Sequence, residues 1–228
     1  YRTAIGHLVD PEMDGGWVLT HTPYASAALA GAGTRTSMTA TDLITFARAH
    51  MDKGVASSGD RWLSQHAVAQ MQLPQTEIPV MSSCIGSSAG IGWSLSRHVE
   101  SGLYFYSHLG GTIGQRSLLR VIPDKDLCIA ALVNADHDGV IQRLMSHFAG
   151  IDLSEPPPHI ISLSRGKMAS VEGNYRSIGD SYAVTLKPEG LIVNHYNNLH
   201  GRTQILSLDA ITDDMFVGRN NDKLVVMK

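Results

Sequence analysis

Apolar and polar positions change their spacing several times along the chain. From Tyr1 to Thr34, Gly, Pro, His and Thr mix without a sustained period, and Asp14-Gly15-Gly16 and Thr22-Pro23 are turn steps, so this segment reads as loop. Helical spacing follows. Leu43, Ile44, Phe46, Ala47 and Met51 recur on one face behind Thr39 and Asp42, which stand at capping-box spacing, and predict a helix over about 40–52 closed by Gly54. A second helix begins at Ser64, runs through Val68 and Met71 and breaks before Pro74. Glu77 to Ser88 is Ser- and Gly-rich and reads as loop.

The pattern then becomes strand-like. Gly92-Trp93-Ser94-Leu95, Leu103 to His108, Ser117 to Ile122 and Leu127 to Asn134 are short β-rich runs separated by Gly, Pro and Asp turns, as in an antiparallel meander. Asp124-Lys125 turns the chain between the last two. Val140, Ile141, Leu144, Met145 and Phe148 return to helical spacing, behind Asp136 and Asp138, whose charge suits a helix N-terminus. Pro156-Pro157-Pro158 is a stiff extended linker. Beyond it, Tyr182 to Leu186, Leu191 to Val193, Thr203 to Leu208 and Leu224 to Val226 alternate with Pro188-Glu189-Gly190 and Asn220-Asn221-Asp222 turns.

This order predicts an α+β class, with an antiparallel sheet flanked by helices over 1–155, a linker over 156–167 and a small all-β appendage over 168–228. At about sixty residues the appendage is near the lower limit for independent folding, so it is expected to lean on the larger part or to be incomplete.

Composition narrows the function classes more than the fold. The 228 residues suffice for a sizeable core, and 43% hydrophobic with 17% charged residues is ordinary for a globular protein. A net charge of −3 without any Lys/Arg cluster offers no surface for nucleic acid. The longest clean apolar run, Cys128 to Val133, is far short of the roughly 18–20 residues of a membrane helix. Cys84 and Cys128 read as small core or strand residues and leave the compartment open. The chain starts at Tyr1 rather than Met, as it would after loss of a signal peptide or an upstream domain.

Candidate chemistry concentrates in Gly90-Ile91-Gly92-Trp93, in Ser107-His108-Leu109-Gly110-Gly111-Thr112-Ile113-Gly114, and in the later Pro123 and Val133-Asn134. Gly110 and Gly111 let a substrate carbonyl approach a strand edge closely, where a freed N–H can point at a developing oxyanion.

In order and spacing these segments resemble the β-lactamase-related serine hydrolases, which include class C β-lactamases, DD-peptidases, D-aminopeptidases and esterases. There a Gly-Trp strand precedes a His-x-Gly or Lys-Thr-Gly strand, and that precedes a strand ending in Asn. Ala32-Gly33 with Ser37-Met38-Thr39-Ala40-Thr41-Asp42-Leu43 resembles the family's entry into a helix, and Trp62-Leu63-Ser64 with Met71 its next helix. The similarity covers about residues 30–150. The segment from 168 onward resembles the lipocalin-like β domain that many members carry.

The resemblance implies catalytic roles for His108, Gly110 and Gly111, the Gly111 N–H being one oxyanion donor, and substrate contacts from Thr112 and Trp93. His108 would stand where Lys stands in the penicillin-recognising enzymes, which favours an esterase or peptidase over an efficient β-lactamase. Without its glycine neighbours, His108 would read as a strand histidine on a solvated face. The family also implies acyl transfer on an amide or ester and a small-molecule or peptide substrate; no cofactor and no metal are expected from the residues. It leaves a homo-oligomer open and favours the periplasm or secretion over the cytoplasm.

The family's Ser-x-x-Lys nucleophile and Tyr-x-Asn should both precede Ala32, and Tyr1 to Gly31 holds neither. Ser164-Arg165-Gly166-Lys167 and Tyr196-Asn197-Asn198 match these short patterns but lie after the His-x-Gly strand, where chance explains them. Asp136-His137-Asp138 are adjacent residues that cannot easily converge on one ion. Two expectations follow: a serine hydrolase whose nucleophile lies on an N-terminal segment or companion chain, or an inactive relative that binds a peptide or cell-wall fragment.

Overall fold

The computed structural model describes residues 4–9, 16–20, 36–78, 86–135, 138–153, 160–176, 179–197, 202–220 and 223–227. Capping starts both early helices where the sequence places them. At α1 (Ala40–Met51) the Thr39 hydroxyl accepts from the Asp42 N–H at 3.2 Å, and the Asp42 carboxylate accepts from the Thr39 N–H at 2.9 Å. Gly54 follows with φ +87°, and a Cβ there would meet the Leu63 carbonyl oxygen at 2.1 Å, so only glycine fits the exit. Ser64 caps α2 (Gln65–Met71) by accepting from the Ala67 N–H at 3.0 Å.

The meander that follows forms one antiparallel sheet whose strands lie in chain order. They are β3 (Thr76–Glu77), β4 (Ser88–Ala89), β5 (Ser94–Arg97), β6 (Tyr104–Thr112), β7 (Gln115–Ile122) and β8 (Leu127–Val133). Alternation divides their side chains between two faces. Leu95, Tyr106, Leu119 and Val121 pack with Ala47 of α1 and with Trp93. Phe105, Leu118, Ile122, Ile129 and Ala131 pack with Ile141, Met145 and Ala149 of α3 (Asp138–Ala149). A helix therefore covers each face, and the expected Asp124-Lys125 turn is a 3₁₀ turn, Pro123–Lys125, that ends on Asp126 at φ +48°.

Two expectations need correction. The segment expected to be loop before Thr34 contains β1 (His7–Val9) and β2 (Trp17–Leu19), an antiparallel pair whose three-residue strands are too short to show a period. The loop expected over Glu77 to Ser88 has strand at both ends, where Glu77 pairs with Ser88.

The chain divides into two compact units, Tyr1–Glu155 and Pro156–Lys228. The second contains α4 (Arg165–Ala169) and six strands: β9 (Gly173–Arg176), β10 (Asp180–Lys187), β11 (Gly190–Asn197), β12 (Arg202–Ala210), β13 (Phe216–Asn220) and β14 (Lys223–Met227). They form one antiparallel sheet, again in chain order. One face buries Val184, Leu191, Val193, Leu206, Leu208 and Phe216 under Ile161, Leu163 and Met168. Near its edge His195 stacks on Tyr182 at 4.7 Å, with Nε2 2.7 Å from the Asp180 carboxylate. The triple-proline linker lies outside the described residues.

Candidate active site

The His-x-Gly segment forms the outer half of β6. Its partner β7 follows the strand from Tyr106 to Thr112, whereas β5 pairs only from Tyr104 to Ser107. From His108 onward β6 projects past β5, with one backbone edge unpaired by any described strand. Alternation puts His108, Gly110 and Thr112 on the α1 face with Tyr106, and Leu109 and Gly111 on the α3 face.

His108 is exposed, and the two glycines after it leave the strand bare of side chains. A Cβ at Gly110 would come within 2.2 Å of the Ser117 hydroxyl oxygen, and one at Gly111 within 2.8 Å of Arg116 Nη1. The Thr112 hydroxyl is buried without a partner among the described residues. Ser117 is a polar group of this wall that the motif alone does not show. The two-residue turn Ile113-Gly114 sets the register Gly110 to Ser117, so the hairpin pattern contains the signal.

Trp93, expected to touch substrate, packs in the aromatic group under α1. It is 4% exposed, with its ring 4.8 Å from Tyr106, 5.0 Å from His50 and 6.0 Å from Phe46. The sheet face under α1 needs a large apolar filler, and the indole supplies it, so little ring surface remains for a ligand. His50 is buried in the same aromatic group, and burial holds its imidazole below the usual histidine range. Burial likewise pushes the Tyr106 phenol up. His50 and Tyr106 border a cavity of about 250 Å³ between α1, α2 and β6, together with Met51, Gln65, Gln72 and Pro123.

The short matches to nucleophile motifs have local explanations. Ser164 is the N-cap of α4, where its hydroxyl accepts from the Lys167 N–H at 3.2 Å. Tyr196 lies on β11 of the second unit, and Asn198 is outside the described residues. Asp136 and His137 are also outside them, as is Cys84, whereas Cys128 sits on β8 with Sγ 3.0 Å from Met51 Sδ. No group of three His, Cys, Asp or Glu among the described residues could hold a metal ion, and none of the described helices is long and apolar enough to cross a membrane.

A second set of contacts binds the tip of the β6–β7 hairpin to the segment Ala4 to His7. The His7 N–H donates to the carbonyls of Gly114 at 3.0 Å and Asn134 at 2.9 Å, and Gln115 Nε2 donates to the Ala4 carbonyl at 2.6 Å. Asn134, just past β8, donates from Nδ2 to the Ile5 carbonyl at 3.2 Å, and His7 Nδ1 donates to the Asn134 carbonyl at 2.8 Å.

Residues 6–159 match the family model described as Beta-lactamase. Penicillin-binding protein 4 of Amycolatopsis lactamdurans is 32% identical over 164 residues, which are 68% of this chain and 41% of that protein. Two solved structures share the fold over 97% of this chain. The octameric penicillin-binding protein homologue from Pyrococcus abyssi is 16% identical with a TM-score of 0.51, and SurE is 22% identical with a TM-score of 0.60. The chain spans 48% and 49% of those two proteins, about half the length of each. With the family model covering most of the chain and the projecting His108-Leu109-Gly110 strand in place, this chain belongs to the β-lactamase-related serine hydrolase family.

Proposed function

We propose that this chain supplies the oxyanion strand of a serine hydrolase acting on an amide or ester, and that Ser-x-x-Lys and Tyr-x-Asn lie on polypeptide outside it. The observation that carries this reading is the half-strand from His108 to Thr112, which projects past β5 and has no side chain at two successive positions. A carbonyl carbon lying along that edge would be attacked by the serine oxygen while the lysine takes the hydroxyl proton. The Gly111 N–H and the nucleophile's own N–H would then hold the oxyanion, a donor of this kind being worth about 10²–10³ in rate. The proton passes to the departing amine or alcohol, and water releases the acyl group from serine. His108 and the Thr112 hydroxyl would face the substrate from the α1 side, with Ser117 beside Gly110.

Phe46 and Trp62 support a further polypeptide packing here, because these rings, 5.3 Å apart, remain 36% and 51% exposed. The octameric homologue supports a homo-oligomer. The second unit fits a lipocalin-like accessory domain of one six-stranded meander.

Reaction of the complete protein with a fluorophosphonate or penicillin probe tests the proposal. Labelling of a serine in a Ser-x-x-Lys motif is the expected result. No labelling, together with saturable peptide binding, would make the protein an inactive binding module. The 228-residue chain alone is expected not to turn over p-nitrophenyl acetate, and turnover abolished by Ser164→Ala would overturn the reading that the nucleophile lies outside this chain.

A further inference from the structure

Among the described strands, the outer half of β6 has one neighbour where the inner half has two. Up to Ser107 it is held between β5 and β7; from His108 to Thr112 β7 alone of the described strands pairs with it. A two-stranded ribbon free on one side twists and pivots more readily than the interior of a sheet. Yet a backbone N–H that is to meet an oxyanion must be held within about 0.5 Å of its working position. Something other than β5 has to fix this ribbon.

We infer that Ala4 to His7, together with Asn134, forms a strap that fixes the tip of the β6–β7 hairpin, with His7 and Asn134 as positioning residues for the oxyanion strand. This rests on the hydrolase reading above. The strap fits the tip closely. A Cβ at Gly6 would lie 2.3 Å from the Ile113 carbonyl oxygen, and one at Gly114, whose φ is +67°, 2.6 Å from the His7 nitrogen. The two backbones therefore touch where each lacks a side chain.

Hydrogen bonds close the strap on both sides of that contact. The His7 N–H reaches carbonyls on both the hairpin tip and the end of β8, Gly114 and Asn134. Gln115, the first residue of β7, holds Ala4, and Asn134 holds Ile5. Behind the strap, the Thr20 N–H donates to the Gly6 carbonyl at 2.9 Å, so β2 backs β1 against the tip. The bonds from Ala4, Ile5 and His7 to Gly114, Gln115 and Asn134 join residues more than a hundred positions apart, and none of the groups involved is a nucleophile or a base of the proposed chemistry. Their place at the tip gives them the function of setting where the Gly111 N–H stands.

The test uses Gly6→Ala, Asn134→Ala, His7→Ala and His7→Asn, the last because an asparagine Nδ2 can donate from nearly the same place as His7 Nδ1. Hydrogen exchange at residues 110–116 is read in the 228-residue chain, and kcat and KM in the complete protein. Gly6→Ala and the two other disruptive variants are expected to speed exchange at the tip and to lower kcat on the order of tenfold, with KM changed less than about twofold. His7→Asn should restore both readouts. Unchanged tip exchange, or faster exchange with unaltered kcat, overturns the inference. Equal loss in His7→Ala and His7→Asn removes His7 from the positioning role. A wild-type protein that neither labels nor turns over substrate overturns the hydrolase reading, and the catalytic role of the strap with it. That outcome is recognisable because exchange is measured without activity.

Discussion

Gly110 and Ser117 face one another across the β6–β7 hairpin so closely that the hydroxyl oxygen of one occupies the space a side chain would need on the other. In Gly110→Ala the Ser117 hydroxyl must rotate off the His108 face, at a cost of about 1 kcal/mol. The Ser117 Cβ, 3.6 Å from the added methyl, is at ordinary contact distance. Ser117→Ala in the same background is therefore expected to recover most of the loss. Urea unfolding of the two single variants and the double variant checks this, and additive losses would count against it.

His50 links stability to acidity. It is 1% exposed, neither ring nitrogen has a hydrogen-bond partner among the described residues, and Trp62, Trp93 and Phe46 surround it. Its folded pKa lies below the unfolded value, so the neutral form is the one that folds, and stability is lost as pH falls below about 6.5. The wild type should lose more melting temperature between pH 7.5 and pH 5.5 than His50→Phe does. Equal losses would show that His50 does not carry the effect.

Thr39→Ala removes the hydroxyl that caps α1 and is expected to lower stability by about 1 kcal/mol. Thr39→Ser should retain nearly all of it. The midpoints of urea unfolding for the two variants decide the point.

Cys128 is half-buried against Met51, and burial pushes its thiol up, so little thiolate forms near neutrality. Iodoacetamide at pH 8 should label Cys128 slowly in the folded chain and rapidly in urea, as read by mass spectrometry of the peptide that contains it. Equal rates would mean that β8 opens readily.

Local signals were the legible ones. The caps at Thr39 and Ser64, the glycines at 110 and 111 and the hairpin turn at Ile113-Gly114 each act within a few residues, so the helices, the central strands and the bare wall could be read in advance. β9, with Gly173-Asn174-Tyr175-Arg176, has too little apolar alternation to announce itself, and β13 carries Gly218 inside it. The motif position of Trp93 places it near the wall in sequence, whereas the direction of its ring, into the core, depends on packing against α1 that no short motif carries. The contact between His7 and Asn134 spans 127 positions and involves no unusual residue type, so nothing local could have indicated it.

In both units the strands lie in the sheet in the order in which they occur in the chain. Each ladder can close as soon as the next strand is available, with little loop entropy to overcome, which favours rapid zipping from one hairpin to the next. The clasp between His7 and Asn134 is the exception, since it must wait for residues far apart to meet. Pulsed-labelling exchange during refolding should show amides of β6, β7 and β8 protected before that of His7, making the union of the chain's start with the sheet the final act of assembly in the larger unit.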